Sequence, residues 1–288
     1  MEAAKICARE IGHLGIRTIS DGWPYTRRSL LGGKMDEVKQ HTPGQSILLH
    51  LLPGLIILVS ILIFSHPYFS RILGVDERLS PVMGYLLGLL FGLLPVQLGF
   101  LLFAGRQETG KFTLRKVIRY TQKSPLKEYI FFVPALILYF LVLFVFVAPL
   151  IQPYLIQTLF NWWPEKYNFQ LLLQNPTTLA GYRGIIVLIL VYILLSCISG
   201  PFVEELYFRG YLLPRMEAYA GKWAPFLNTV LFSIYHFFSP WENLIRIAAS
   251  YPLIYLVWKK RDIRFGILVH ILVNSFGGIA ALFLITTR

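Results

Sequence analysis

Charge is scarce in this chain. Asp, Glu, Lys and Arg make up 15 % of its 288 residues, against about 25 % in an ordinary soluble domain. That shortage leaves too little polar surface to cover a water-soluble globule, and 56 % of the residues are hydrophobic. Acidic residues are the scarcer kind, 15 against 27 basic ones, for a formal charge of +12. Cysteine is almost absent: Cys7 stands in a polar tail and Cys197 in an apolar run. Two such cysteines exclude a disulfide framework and a cysteine-built metal centre. Internal repeats, low-complexity stretches and a His-Glu-x-x-His helix are missing as well.

What is present is a series of apolar runs long enough to cross a bilayer, each about 20 residues. They fall at about 46–64, 81–104, 130–150, 184 to beyond Cys197, 223–238, 244–258 and 265–285. The first begins behind a mixed polar stretch and is opened by Thr42-Pro43-Gly44, so it reads as an anchor helix rather than a cleaved leader. Aromatics reach 15 %, and Trp162-Trp163-Pro164 suits an interfacial belt. The expected fold class is all-α: a polytopic integral membrane protein with about seven transmembrane helices around an intramembrane polar cavity.

Basic residues alternate between loops. They crowd the tail before the first run (Lys5 to Lys39), the second loop (Arg106 to Lys127) and the sixth (Lys259, Lys260, Arg261, Arg264). The first and third loops carry two each, Arg71 and Arg78, then Lys166 and Arg183. The positive-inside rule then puts the N-terminus in the cytosol, and seven spans put the C-terminus outside. Basic residues so placed point to an anionic leaflet rather than nucleic acid. The segment 111–127 interleaves basic residues with Phe112, Leu114, Val117 and Ile118. It is expected as an amphipathic helix on the inner leaflet, a plain solvated loop being the blander alternative. The organisation is thus a basic cytosolic tail (1–45), a three-span region (46–183) and a four-span core (184–288).

Ionisable residues inside spans are costly and mark function. Spans one to three hold almost none; the last four hold several. In Gly200-Pro201-Phe202-Val203-Glu204-Glu205-Leu206-Tyr207-Phe208-Arg209-Gly210, a kink is expected at Gly200-Pro201. Glu205 and Arg209 stand at i, i+4 and can pair. Glu204 points about 100° away from Glu205 and is left facing the cavity. A buried carboxylate without a partner can act as a general base. A plain interfacial charge cluster is the blander alternative. The fifth span carries Phe232-Ser233-Ile234-Tyr235-His236, whose His can equally be a hydrogen-bonded structural residue. The seventh carries His270 and Asn274, which share a face and can equally glue helices together. Depth agrees across the three: Glu204, His236 and His270 are each placed roughly 10–15 residues, or roughly 15–20 Å, from a cytosolic end. A carboxylate and a His can activate water, while a second His and an Asn stabilise an oxyanion.

These motifs, Glu204-Glu205-x-x-x-Arg209, Phe232-x-x-x-His236 and His270-x-x-x-Asn274, resemble those of the CPBP family. That family comprises the CAAX proteases and bacteriocin-processing enzymes, including the Ras-converting type of CAAX endoprotease. The order and spacing match over about 184–285. The resemblance implies a membrane-embedded endopeptidase acting near the cytosolic side. It makes Glu204 the base on water with His236 assisting, His270 and Asn274 the oxyanion site, and Glu205, Arg209 and Phe232 supporting residues. The implied partners are membrane lipids and a membrane-associated peptide or lipidated protein, such as a prenylated CAAX tail or a peptide precursor. The implied place is the plasma or inner membrane of a prokaryote, or an ER-like membrane of a eukaryote. No cofactor is assigned with certainty. Zinc on Glu204, His236 and His270, with one open position, stays an alternative to a glutamate mechanism. Two other readings remain open: a non-catalytic scaffold or regulator using the same cavity, and an ion or proton carrier.

Overall fold

The computed structural model describes residues 38–164, 167 and 181–287. The basic tail up to residue 37 with Cys7, and the third loop's Lys166, lie outside them. Helix α1 (Pro43–Phe64) starts as its sequence dictates. The Thr42 side chain accepts from the Gln45 amide, the Gln45 side chain accepts from the Thr42 amide, and Pro43 opens the first turn. Those bonds satisfy amides that the helix cannot. A short α2 (Pro67–Ile72) follows. Then come α3 (Glu77–Thr109) and α4 (Leu126–Thr158). Helix α5 runs over 185–220, and is followed by α6 (Ala224–Ile234), α7 (Asn243–Lys260) and α8 (Arg264–Thr286).

The long helices are interrupted by wide π turns at Leu89–Leu93, Leu143–Val147, Ile193–Ser199 and Glu205–Leu212. Each is followed by an α segment with proline in second place: Pro95, Pro149, Pro201 and Pro214. Proline lacks an N–H and its ring crowds the carbonyl four residues back. A turn with longer hydrogen-bond spacing relieves both. Pro53, Pro134 and Pro252 sit within α segments instead, so a wide turn is one answer to proline among several. The kink expected at Gly200-Pro201 is therefore a short α segment, Gly200–Glu204, between two wide turns.

The all-α membrane fold is as expected, and five helical segments among the described residues are long and apolar enough to cross a membrane. The difference from seven lies after α5. Gly221 (φ 52°, ψ −127°) reverses the chain, a conformation open mainly to glycine. The run expected to span 223–238 is the 11-residue α6, about 16 Å long. That is half the hydrocarbon thickness of about 30 Å. Helix α7 carries Arg246, Lys259 and Lys260 in its 18 residues and falls short on apolarity.

The expected helix over 111–127 does not form. Residues 111–125 run irregularly and α4 begins at Leu126. Lys116 and Tyr120 take positive φ angles, which interrupt any helix. Phe112 is exposed, but Val117 and Tyr120 are buried and Leu114 and Ile118 pack partly buried against the core, and the Arg119 amide donates to the Gly210 carbonyl at 2.8 Å. This strap is fastened to the α7–α8 turn. Buried Asp262 accepts from the Ser124 amide (2.8 Å), from the Tyr129 hydroxyl and from Arg264. The Ile263 amide donates to the Tyr120 carbonyl at 2.8 Å.

Candidate active site

The chain reversal at Gly221 lays α6 back along α5. The Asn228 side chain donates to the Phe208 carbonyl at 3.1 Å, and the end of α6 reaches Glu204. Helix α8 closes the other side. Gly266 makes that approach possible, because a Cβ there would overlap Glu205 Oε2.

Glu204 and Glu205 are both buried, as is Arg209. The expected Glu205–Arg209 pair is present, with Arg209 Nη1 at 3.3 Å from Glu205 Oε1. The approach is an ion pair rather than an aligned hydrogen bond. Glu205 Oε2 and Arg209 Nε are buried without a hydrogen-bond partner. The guanidinium also lies 3.8 Å above the Phe232 ring centre, a cation–π contact that offsets part of its burial. This gives Phe232 a definite task.

His270 joins the two carboxylates. Its Nδ1 is 3.0 Å from Glu205 Oε1 and its Nε2 is 3.9 Å from Glu204 Oε2. A carboxylate accepts only, so Nδ1 carries the hydrogen. His236 is fixed differently: its Nδ1 is 2.9 Å from the Phe232 carbonyl. The carbonyl forces Nδ1 to donate, which leaves Nε2 of the neutral ring as an acceptor. Asn274 donates through Nδ2 to the Ser196 carbonyl at 3.3 Å, and the amide's second hydrogen remains. Tyr85 reaches the same residue from α3, its hydroxyl 2.9 Å from Ser196 Oγ.

Three expectations change. Glu204 is not a partnerless carboxylate, because the Tyr235 hydroxyl donates to its Oε1 at 2.5 Å. His236 is not deep inside a helix. α6 ends at Ile234, and His236 occupies the turn that follows. Equal depth along the helices is also not how the groups meet: His270 is on the second turn of α8, which starts at Arg264. The reversal and the closeness of α8 bring them together.

Sequence reasoning missed Tyr235 and Arg246. Tyr235 stood inside a motif at an unspecified position, and only the irregular turn aims it at Glu204. Arg246 is buried in α7. It bonds Glu242 Oε2 (2.5 Å), Asn243 Oδ1 (2.8 Å) and Ser239 Oγ (2.9 Å). A lone Arg within an apolar run was the available signal.

Among the described residues, no three His, Cys, Asp or Glu side chains gather closely enough to hold a metal ion. Glu204, His236 and His270, as they stand, do not fit the three-ligand alternative.

Fold and site define a polytopic membrane protein with an acid–imidazole cluster among its helices. Residues 186–276 match the family model described as Type II CAAX prenyl endopeptidase Rce1-like. No curated protein and no solved structure matches the chain. The matched segment contains all three motifs and bears out the resemblance to the CPBP and CAAX protease family. It supports intramembrane protease activity, that of a hydrolase in an integral membrane protein.

Proposed function

We propose that this protein is an intramembrane endopeptidase that hydrolyses a peptide bond in a membrane-associated substrate, a prenylated CAAX-type tail being the class the family description favours. One observation carries the reading: a buried carboxylate oxygen, Glu204 Oε2, stands 3.9 Å from His270 Nε2. That gap suits two groups sharing one water, since it exceeds a direct hydrogen bond.

In this reading Glu204 Oε2 takes a proton from water as the oxygen attacks the scissile carbonyl. His236 accepts through the Nε2 that its Phe232 bond leaves free. The oxyanion is met by Asn274 Nδ2 and by His270, which donates from Nε2 in its protonated form while Glu205 balances the charge. Arg209 in turn holds Glu205. The collapsing intermediate regains the proton from Glu204 on its leaving nitrogen, so protons balance over the cycle. By the positive-inside rule the basic turn Lys259, Lys260, Arg261 and Arg264 supports a cytosolic side for that end of the bundle, and cleavage near it in this reading.

The test is purified wild type and Glu204→Gln in detergent, offered lipidated and plain quenched-fluorescence peptides, with and without a chelator. We expect wild type to cleave and Glu204→Gln to be about 10²–10⁴-fold slower, the size of a general-base contribution. Cleavage lost to chelator and restored by zinc would put Glu204 in a metal shell instead. Near-normal cleavage by folded Glu204→Gln would remove its role. Retained binding without cleavage by the wild type would favour a scaffold.

A further inference from the structure

The mechanism above gives no task to Tyr235, although it is the group in contact with Glu204. Its hydroxyl supplies the one hydrogen bond that the Glu204 carboxylate receives among the described residues. The other polar groups around that carboxylate are His270 on α8, whose Nε2 is 3.9 Å from Oε2, Arg209 on α5, Arg246 on α7 and Tyr85 on α3.

Tyr235 is 1 % exposed. Its ring lies between His236 (4.1 Å between centres), Phe208 (4.9 Å) and Phe232 (5.5 Å). It stands just past the end of α6, so helix geometry does not set its direction. Two other elements do. On α7, Arg246 grips the turn from both sides, 3.5 Å from the Ser233 carbonyl and 2.9 Å from Ser239 Oγ. On α1, Gly54 lies against the Tyr235 backbone so closely that a Cβ would overlap its carbonyl.

A carboxylate has two equivalent oxygens and turns broadly about its last bond. Holding one oxygen leaves the other in a single orientation, and small errors of placement at a reacting group cost rate steeply. We propose that Tyr235 is a positioning residue of the hydrolytic site: its hydroxyl anchors Glu204 Oε1, so that Oε2 alone faces the attacking water beside His270. The inference rests on the reading of Glu204 as the base. It reaches beyond the matched segment, because Gly54 in α1 helps set Tyr235.

The experiment compares wild type, Tyr235→Phe, Glu204→Gln and the double variant, by peptide cleavage and thermal unfolding in detergent. Phe keeps the ring and its packing. We expect Tyr235→Phe to lower kcat about tenfold or more, with KM changed less than about twofold and the melting temperature near wild type. In the Glu204→Gln background the same substitution should cost no further residual turnover, because the two act as one unit. An equal fractional loss in both backgrounds, or a fall in melting temperature with a rise in KM, would show a structural role and overturn the proposal. Unchanged kcat in Tyr235→Phe, with an active wild type, would overturn it and leave the base reading standing. No cleavage by folded wild type would overturn the base reading itself.

Discussion

The helices before residue 160 and those after residue 184 are solvated by the same lipid yet built differently. In α4, only 11 % of the most apolar stretch is buried, and Phe131, Leu138, Phe146 and Leu150 point outward. In the α5–α6 run the figure is 44 %. Coverage also varies within each region, from 39 % in α3 to 11 % in α4 and from 44 % in the α5–α6 run to 17 % in α8, so the contrast is sharpest between α4 and α5–α6. Charge follows burial: Glu204, Glu205, Arg209 and Arg246 are all buried in the later helices. In a bilayer a charge is tolerated where other protein groups receive it, so these charges sit where side chains of several helices meet.

The division is not one of working and idle halves. Buried His50 on α1 stands 2.9 Å from the Asn228 side chain of α6. The Tyr207 hydroxyl of α5 donates to the Leu49 carbonyl of α1 at 2.8 Å. The earlier helices act as a brace whose contacts set the orientation of the later ones.

The largest effect should come from within the central region. Arg209→Ala leaves Glu205 buried without its cation and takes the guanidinium off Phe232. Breaking a buried pair from one side costs about 3–5 kcal/mol, so thermal unfolding in detergent should show a large loss of stability together with lost cleavage. A fully stable Arg209→Ala protein would show that the pair does not hold the bundle.

Crossing the boundary should cost less. Gly54→Ala places a methyl group where the Tyr235 carbonyl stands and against the Tyr235 ring, so it should lower kcat about tenfold by displacing the Tyr235 hydroxyl from Glu204. Gly99, also in the earlier region, meets nothing within 4 Å, and Gly99→Ala should leave cleavage unchanged. Equal behaviour of the two variants would make α1 a mere lipid anchor.

The smallest effect concerns the strap. Burial works against the Asp262 carboxylate, but the Tyr129 hydroxyl, the Ser124 and Arg264 amides and the Arg264 side chain outweigh it. They hold the carboxyl below its ordinary range. A depressed pKa gives stability that is complete above the unfolded value of about 4 and is lost as pH falls further towards the folded value. Protection from hydrogen exchange over 111–125, taken relative to the intrinsic rate at each pH, should therefore be high at neutral pH and lower below about pH 4. Asp262→Asn should be less protected at neutral pH and lose most of that dependence. An unchanged profile in Asp262→Asn would mean that another contact fastens the strap.

Several features were legible in the chain itself because their causes are local. Apolar run length sets the fold class. The Thr42-Pro43-x-Gln45 cap starts α1, and the i, i+4 spacing of Glu205 and Arg209 survives even the wide turn that carries it. The motif residues were legible as well, and Glu204, Glu205 and His270 do meet. The strap was misread because interleaved basic and apolar residues fit a surface helix and a plugged loop equally well; Gly210 and Asp262, far away in sequence, decide between them. The short α6 was misread because hydropathy sees composition and not the reversal at Gly221. Tyr235 and Arg246 needed the tertiary structure for the same reason. Their partners lie across chain reversals and on other helices, and the direction of a side chain in an irregular turn is set by what packs against it. Sequence alone therefore determined which residue types enter the membrane and at what spacing. Only packing decided which oxygen of Glu204 is held and which is left to react.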